Sequence, residues 1–335
     1  MNKKQVVIYQ LSRSSLHGLF SVIALLAALL IGGCLSLDPF LFSGKPLDSY
    51  QFDHYTGERE CGDAIDTIKT LEAAGKAPWV YDTCIRQYTL KSGDGAIAVA
   101  LLSNEPPPFG MSDTIIVFFR GTGPHIDSYW PRTRMLYATG YPAIILDYRG
   151  YGASKGTATE STISEDGRTL MNFIRDSLGN PKVVAYGYSL GSLVSCDILA
   201  NDQPPQVIRI VLEAPIGSIQ TLVENGGFLD LPGAYATTYT GNNTERIKSI
   251  HIPLLWIHGT LDETNDRETQ GLPIWNNFKG EGYYIKSIGA KHTTNPQTIG
   301  YTRYINALKA FCNGSAADSF PNIMGGTTKI EWGKK

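Results

Sequence analysis

The sequence predicts an α/β fold on a mostly parallel sheet of about eight strands with helices on both faces. Three observations predict it. From about residue 114 to residue 311, short apolar runs alternate with helix-spaced segments. The runs are apolar at consecutive positions, as strands covered on both faces require. In the stretch 182–192, KVVAYGYSLGS, one such run meets Gly187-Tyr188-Ser189-Leu190-Gly191 and then a helix-capable segment. That is a buried strand turning sharply into a helix with a hydroxyl at the corner, which leaves the Ser189 Oγ exposed at the positive end of a helix. An ordinary glycine-bracketed turn is the plain alternative, and the surrounding elements and the partners found elsewhere argue against it.

The elements follow in order. Lys3, Lys4 and Arg13 precede an apolar run from Leu19 to Ile31, and Ile31-Gly32-Gly33-Cys34 closes it with small residues. The run is shorter than the 18 or so apolar residues that span a bilayer, so 1–33 is expected to be an export signal. Ile31 to Cys34 resembles a bacterial lipoprotein processing box, in which cleavage precedes the cysteine and that cysteine is acylated. This implies a lipid on Cys34, such as palmitate, and a membrane as partner. In a Gram-negative cell, Leu35 in place of Asp leans towards the outer membrane. A plain secretory signal or an uncleaved anchor is the alternative.

Residues 34–86 are expected to carry the lipid attachment and an N-terminal extension packed on the domain, with helical spacing over 64–74. Export makes a disulfide between Cys61 and Cys84 chemically reasonable, closing a loop of about 24 residues and stabilising by roughly 3 kcal/mol. Cys196 reads as a small buried hydrophobe.

The main domain is expected over 87–312. Segments 87–91 and 96–103 read as an antiparallel pair about Ser92-Gly93-Asp94-Gly95. Strands are then expected at Thr114–Phe119, Ala143–Asp147, 183–186, 207–212, 254–258 and 283–288. Helices are expected at 128–139, 162–178, 193–200, 272–278 and 298–311. The irregular stretch 217–250 is a candidate cap, with Ile219, Leu222, Phe228, Leu229, Leu231, Tyr235 and Tyr239 either lining an acyl pocket or packing a surface connection. The tail, 313–335, reads as polar and poorly ordered.

At 335 residues, 42% hydrophobic and 18% charged, the chain is long enough for one large core or two modest ones. A net charge of −2 without basic runs excludes nucleic acid as an expected partner. No Cys or His spacing suits a metal, and no cofactor motif appears, so neither metal nor cofactor is expected. Oligomeric state is not legible.

A serine hydroxyl needs an imidazole to take its proton, and that imidazole needs a carboxylate to fix its tautomer. Of six histidines, His292 stands in a loop after the last strand expected in the main domain. Asp262 follows the strand at 254–258 through Gly259-Thr260-Leu261. Ser189, Asp262 and His292 are the expected catalytic residues, with Glu213 as the rival acid and Asp147 expected to shape its own loop. The oxyanion would be held by the main-chain N–H of Leu190 and by that of Thr122, in Arg120-Gly121-Thr122-Gly123.

The sequence from about Tyr88 to Phe311 resembles the α/β-hydrolase fold family, of the serine-esterase and serine-aminopeptidase-like type. The resemblance is carried by Phe118-Phe119-Arg120-Gly121-Thr122-Gly123, Asp147-Tyr148-Arg149-Gly150-Tyr151-Gly152-Ala153-Ser154, Gly187-Tyr188-Ser189-Leu190-Gly191, Leu212-Glu213-Ala214-Pro215, His258-Gly259-Thr260-Leu261-Asp262 and Gly289-Ala290-Lys291-His292. The chain order serine, acid, histidine is that of the family. The family commonly has His-Gly where this chain has Arg120-Gly121. The resemblance implies cleavage of a carboxylic ester or thioester, with a serine peptidase as the alternative. A third reading is a lipoprotein that keeps the scaffold only to bind.

Overall fold

The computed structural model describes residues 41–42, 44–224 and 237–335. The expected leader, Cys34, and Phe228, Leu229, Leu231 and Tyr235 of the expected cap lie outside them. No helix among the described residues is long and apolar enough to cross a membrane.

Among the described residues nine strands make one sheet: β1 (Ile85–Ser92), β2 (Gly95–Leu102), β3 (Thr114–Phe119), β4 (Ala143–Asp147), β5 (Lys182–Tyr188), β6 (Val207–Glu213), β7 (Leu254–Gly259), β8 (Gly282–Ser287) and β9 (Ile330–Lys334). Their spatial order is β1-β2-β4-β3-β5-β6-β7-β8-β9. Strands β4, β3, β5, β6, β7 and β8 run parallel to one another. The hairpin β1–β2 borders one side and β9 the other, both antiparallel to their neighbours.

Helices cover both faces because each central strand buries both sets of side chains. In β3, Ile115, Val117 and Phe119 enter one core while Ile116 and Phe118 enter the other. The first core is closed by α3 (Glu160–Ser177) and α4 (Gly191–Asn201), through Leu170, Ile174 and Val194. The second is closed by α1 (Ala64–Ala73), α2 (Ile126–Tyr137) and α9 (Tyr301–Cys312), through Ile68, Trp130 and Leu308. Helix α3 starts where the Thr159 hydroxyl accepts the Thr162 N–H at 3.2 Å, a side-chain cap on an otherwise orphan donor. The smaller helices are α5 (Ile219–Glu224), α6 (Asn243–Arg246), α7 (Leu272–Asn277), α8 (Asn295–Ile299) and α10 (Ala316–Met324).

Three expectations are corrected. The segment 298–311 is not one helix: Gly300, at φ +89°, separates α8 from α9. The tail is not poorly ordered, since it forms α10 and β9. Ala316, Phe320 and Met324 recur every fourth residue and are buried. Burying two side chains of that size contributes about 3 kcal/mol or more, enough to hold the segment. Cys61 and Cys84 are free. The Cys61 Sγ lies 3.8 Å from the Thr293 carbonyl oxygen and the Cys84 Sγ 2.9 Å from the Asn104 Oδ1. Burial pushes the thiols of Cys61 and Cys196 up to about 12.

The extension packs on the domain and is tied to the loop after β4. The Leu47 N–H donates to the Gly152 carbonyl at 2.9 Å, and the Gly152 N–H to the Lys45 carbonyl at 3.0 Å. The Asp127 carboxylate accepts the N–H groups of Gln51 and Phe52. The Tyr50 hydroxyl donates to Asp147 at 2.6 Å.

Candidate active site

Ser189 directly follows β5 and precedes α4, so the chain must reverse within three residues. Its φ is +51°, a left-handed conformation that costs a non-glycine residue of order 1 kcal/mol or more and survives only where surrounding contacts impose it. The neighbouring glycines explain how the corner closes. A Cβ on Gly191 would lie 1.8 Å from the Phe119 carbonyl oxygen, and one on Gly187 2.4 Å from the Ser195 Oγ. No side chain fits at either place.

The three residues singled out in the sequence meet at the carboxyl ends of β5, β7 and β8. The Ser189 Oγ lies 3.0 Å from the His292 Nε2, and the His292 Nδ1 lies 3.0 Å from both oxygens of Asp262. All three are at least nine-tenths buried. Because Nδ1 faces a carboxylate, it carries the ring proton, leaving Nε2 to accept from the serine hydroxyl.

Asp262 is more heavily supported than the sequence reading supposed. It accepts the backbone N–H groups of Thr264 and Asn265 at 3.0 and 2.8 Å, and a second imidazole, the His258 Nε2, lies 3.2 Å from its Oδ2. The His258 Nδ1 accepts from the Trp256 Nε1–H at 3.2 Å, so the proton of that ring sits on Nε2, shared between Asp262 and the Asn265 carbonyl. Burial alone would push the Asp262 carboxyl up. The hydrogen bonds from His258 and His292 outweigh it and hold the group below the usual carboxylate range.

The rival acid Glu213 sits at the end of β6 but points into the other core. Its carboxylate is taken by the Arg132 Nη1 at 2.8 Å and by the hydroxyls of Tyr186 and Tyr304. The Arg132 guanidinium stands 4.1 Å above the Tyr188 ring, which stacks on the His292 imidazole at 5.5 Å, and its Nη2 donates to the Thr293 carbonyl at 3.2 Å. Arg132 and Glu213 thus back the histidine loop from below. Their sequence positions, 81 residues apart, carried no sign of the pairing.

Arg120, the departure from the usual His-Gly, is wholly buried and forms a 2.7 Å ion pair with Asp147. Its Nη1 donates to the carbonyls of Gly121 and Gly123, each at 2.8 Å, while the Tyr129 hydroxyl takes the Gly123 N–H at 2.8 Å. Burial opposes the charge on Arg120, but Asp147 and three nearby tyrosines more than offset it, and its pKa is raised. Both Thr122 and Leu190 line the same narrow cleft as Ser189. Asn265, not singled out in the sequence, borders that cleft and donates from Nδ2 to the Ala214 carbonyl at 2.8 Å. Among the described residues no group of three or more His, Cys, Asp or Glu side chains could hold a metal ion.

A doubly covered sheet of this order, with a strained serine at the β5–α4 corner, is the α/β-hydrolase fold. Residues 110–243 match the family model described as "Serine aminopeptidase, S33". Among curated relatives, YfhR of Escherichia coli is 28% identical over 196 residues, covering 56% of this chain and 65% of that protein. Human alpha/beta hydrolase domain-containing protein 17B is 32% identical over 167 residues, covering 49% of this chain and 54% of that protein. The rat lysophosphatidylserine lipase ABHD12 is 28% identical over 185 residues, covering 49% and 43%. The chain thus spans between 43% and 65% of the length of these three curated relatives. Of solved structures, the Pyrococcus furiosus esterase Pf2001 superposes with a TM-score of 0.56 at 17% identity, covering 71% of this chain and 95% of that one. Est1E from Butyrivibrio proteoclasticus superposes with a TM-score of 0.53 at 13% identity, covering 69% and 99%. At such identities the likeness is one of fold.

Proposed function

We propose that the protein hydrolyses carboxylic esters or thioesters through an acyl-enzyme on Ser189. The observation that carries this reading is the unbroken hydrogen-bond relay from the Ser189 Oγ through His292 to Asp262, at 3.0 Å per step. The Ser189 Oγ attacks the substrate carbonyl as the His292 Nε2 takes its proton, and Asp262 steadies the resulting imidazolium. The carbonyl electron pair moves onto oxygen, where the N–H groups of Leu190 and Thr122 receive it. Collapse of the intermediate expels the alcohol or thiol, which leaves with the proton from His292. Water then repeats the sequence on the acyl-serine and releases the carboxylic acid.

Arg120 positions the oxyanion loop in this scheme, because it fixes the carbonyls on either side of Thr122. Arg120→Lys keeps a charge opposite Asp147 but cannot span both carbonyls. Steady-state kinetics on a chromogenic ester should show kcat lower by about 10- to 100-fold with KM little changed.

The relatives' names include an esterase, a lipase and an aminopeptidase family, and the wall of the cleft favours the ester. Among the described residues that line it are Leu190, Leu193, Ile216, Ile219 and Leu222, and none is acidic. A peptidase selecting a free amine would need a carboxylate there. Glu224 is exposed at the end of α5, and Asp230 lies outside the described residues. The discriminating experiment is a parallel panel of p-nitrophenyl esters, acyl thioesters and aminoacyl-anilides. Turnover of esters or thioesters with anilides inert is expected, and the reverse would assign a peptidase. The leader and Cys34 support an exported protein held at a membrane surface by lipid on Cys34.

A further inference from the structure

The cleft beside Ser189 has an unexpected cover. Two of the side chains that line it, Leu41 and Phe42, come from the extension far upstream of the main domain, and both are more than nine-tenths buried. The Phe42 ring meets Tyr239 edge-on at 4.8 Å. The stretch that follows is fastened: the Lys45 carbonyl and Leu47 N–H bond to both sides of Gly152, and the Gly44 backbone is so close to Gly150 that a Cβ there would lie 2.1 Å from its carbonyl oxygen. The opposite wall is Leu193, Ile216, Ile219 and Leu222. Between them, about 20 Å³ is open to the centre of a water molecule. That is space for roughly one water, about the size of one methyl group, so the cleft as it stands suits only a short acyl group.

We propose that Leu41 and Phe42 are the residues that determine acyl-chain length, closing the cleft so that Ser189 accepts esters or thioesters of short carboxylic acids. The inference rests on the serine-hydrolase reading above and adds to it the acyl class and the side chains that impose it. A longer chain would have to displace two apolar side chains from an apolar cleft, losing their burial without creating any new polar contact.

The test is the kcat/KM profile of the full chain on p-nitrophenyl acetate, butyrate, octanoate and decanoate, for wild type, L41A/F42A and the milder Phe42→Leu. Wild type should lose about tenfold or more from acetate to octanoate, and L41A/F42A should raise the octanoate-to-acetate ratio of kcat/KM by about tenfold. Phe42→Leu should move the profile in the same direction by less, and it serves if the double variant does not fold. A wild type that already prefers octanoate, or folded variants with an unchanged profile, would overturn the proposal. Labelling by a methyl fluorophosphonate separates the two levels of the argument. If Ser189 is labelled in every variant and the profile does not move, only the chain-length inference fails; if Ser189 is never labelled, the hydrolase reading fails and this inference with it.

Discussion

Ser189→Ala should lower kcat on a p-nitrophenyl ester by about 10⁴-fold or more, because attack on the carbonyl then falls to water. KM should change little, since the cleft wall and the oxyanion loop are untouched. The fold should survive. Among the described residues the hydroxyl reaches only the His292 Nε2 at 3.0 Å and, more weakly, the Asn265 Nδ2 at 3.5 Å. Alanine meets the same left-handed backbone that serine already occupies at φ +51°. Thermal unfolding within about 2–4 °C of wild type is expected, the shift that a change near 1 kcal/mol produces in a chain of this size.

Asp262→Asn should cost about 10⁴-fold in kcat for a different reason. The amide keeps the shape of the carboxylate but has one accepting oxygen. Four donors converge on the carboxylate, from His292, His258, Thr264 and Asn265. The amide nitrogen must face at least one of them, and it invites His292 into the tautomer that cannot accept from serine. Unlike Ser189→Ala, this substitution should also lower stability, because buried donors lose their acceptor.

The pH dependence of that loss has a definite sign. The folded pKa of Asp262 is depressed, so its contribution is fully present above the unfolded value near pH 4 and is lost as pH falls towards the folded value. Urea denaturation of wild type and variant should therefore show a large gap at pH 6 that narrows at pH 3. A gap that widened on acidification would contradict the assignment.

The parts of the molecule legible in sequence are those that local patterns govern. Ile115 to Phe119 reads as a doubly buried strand because consecutive residues enter opposite cores. Ser189, Asp262 and His292 were found because each follows a strand directly, in an order that needs no three-dimensional knowledge. The tail reads as poorly ordered because its polar composition masks the four-residue spacing of Ala316, Phe320 and Met324. What local pattern does not encode is pairing at a distance. Arg120 with Asp147, Arg132 with Glu213, and the Leu41-Phe42 cover over the serine all join segments that only the finished sheet brings together. His258 was read as a strand end, and its part in holding Asp262 depends on a loop that folds back by hydrogen bonds to Asn265.

The most direct measurement is reaction of the intact protein with a fluorophosphonate, followed by peptide mass spectrometry. A single phosphonyl adduct on the peptide carrying Ser189, formed in wild type and absent in His292→Ala, is the expected result. A folded wild-type protein that takes up no adduct, or takes it elsewhere, would contradict the account.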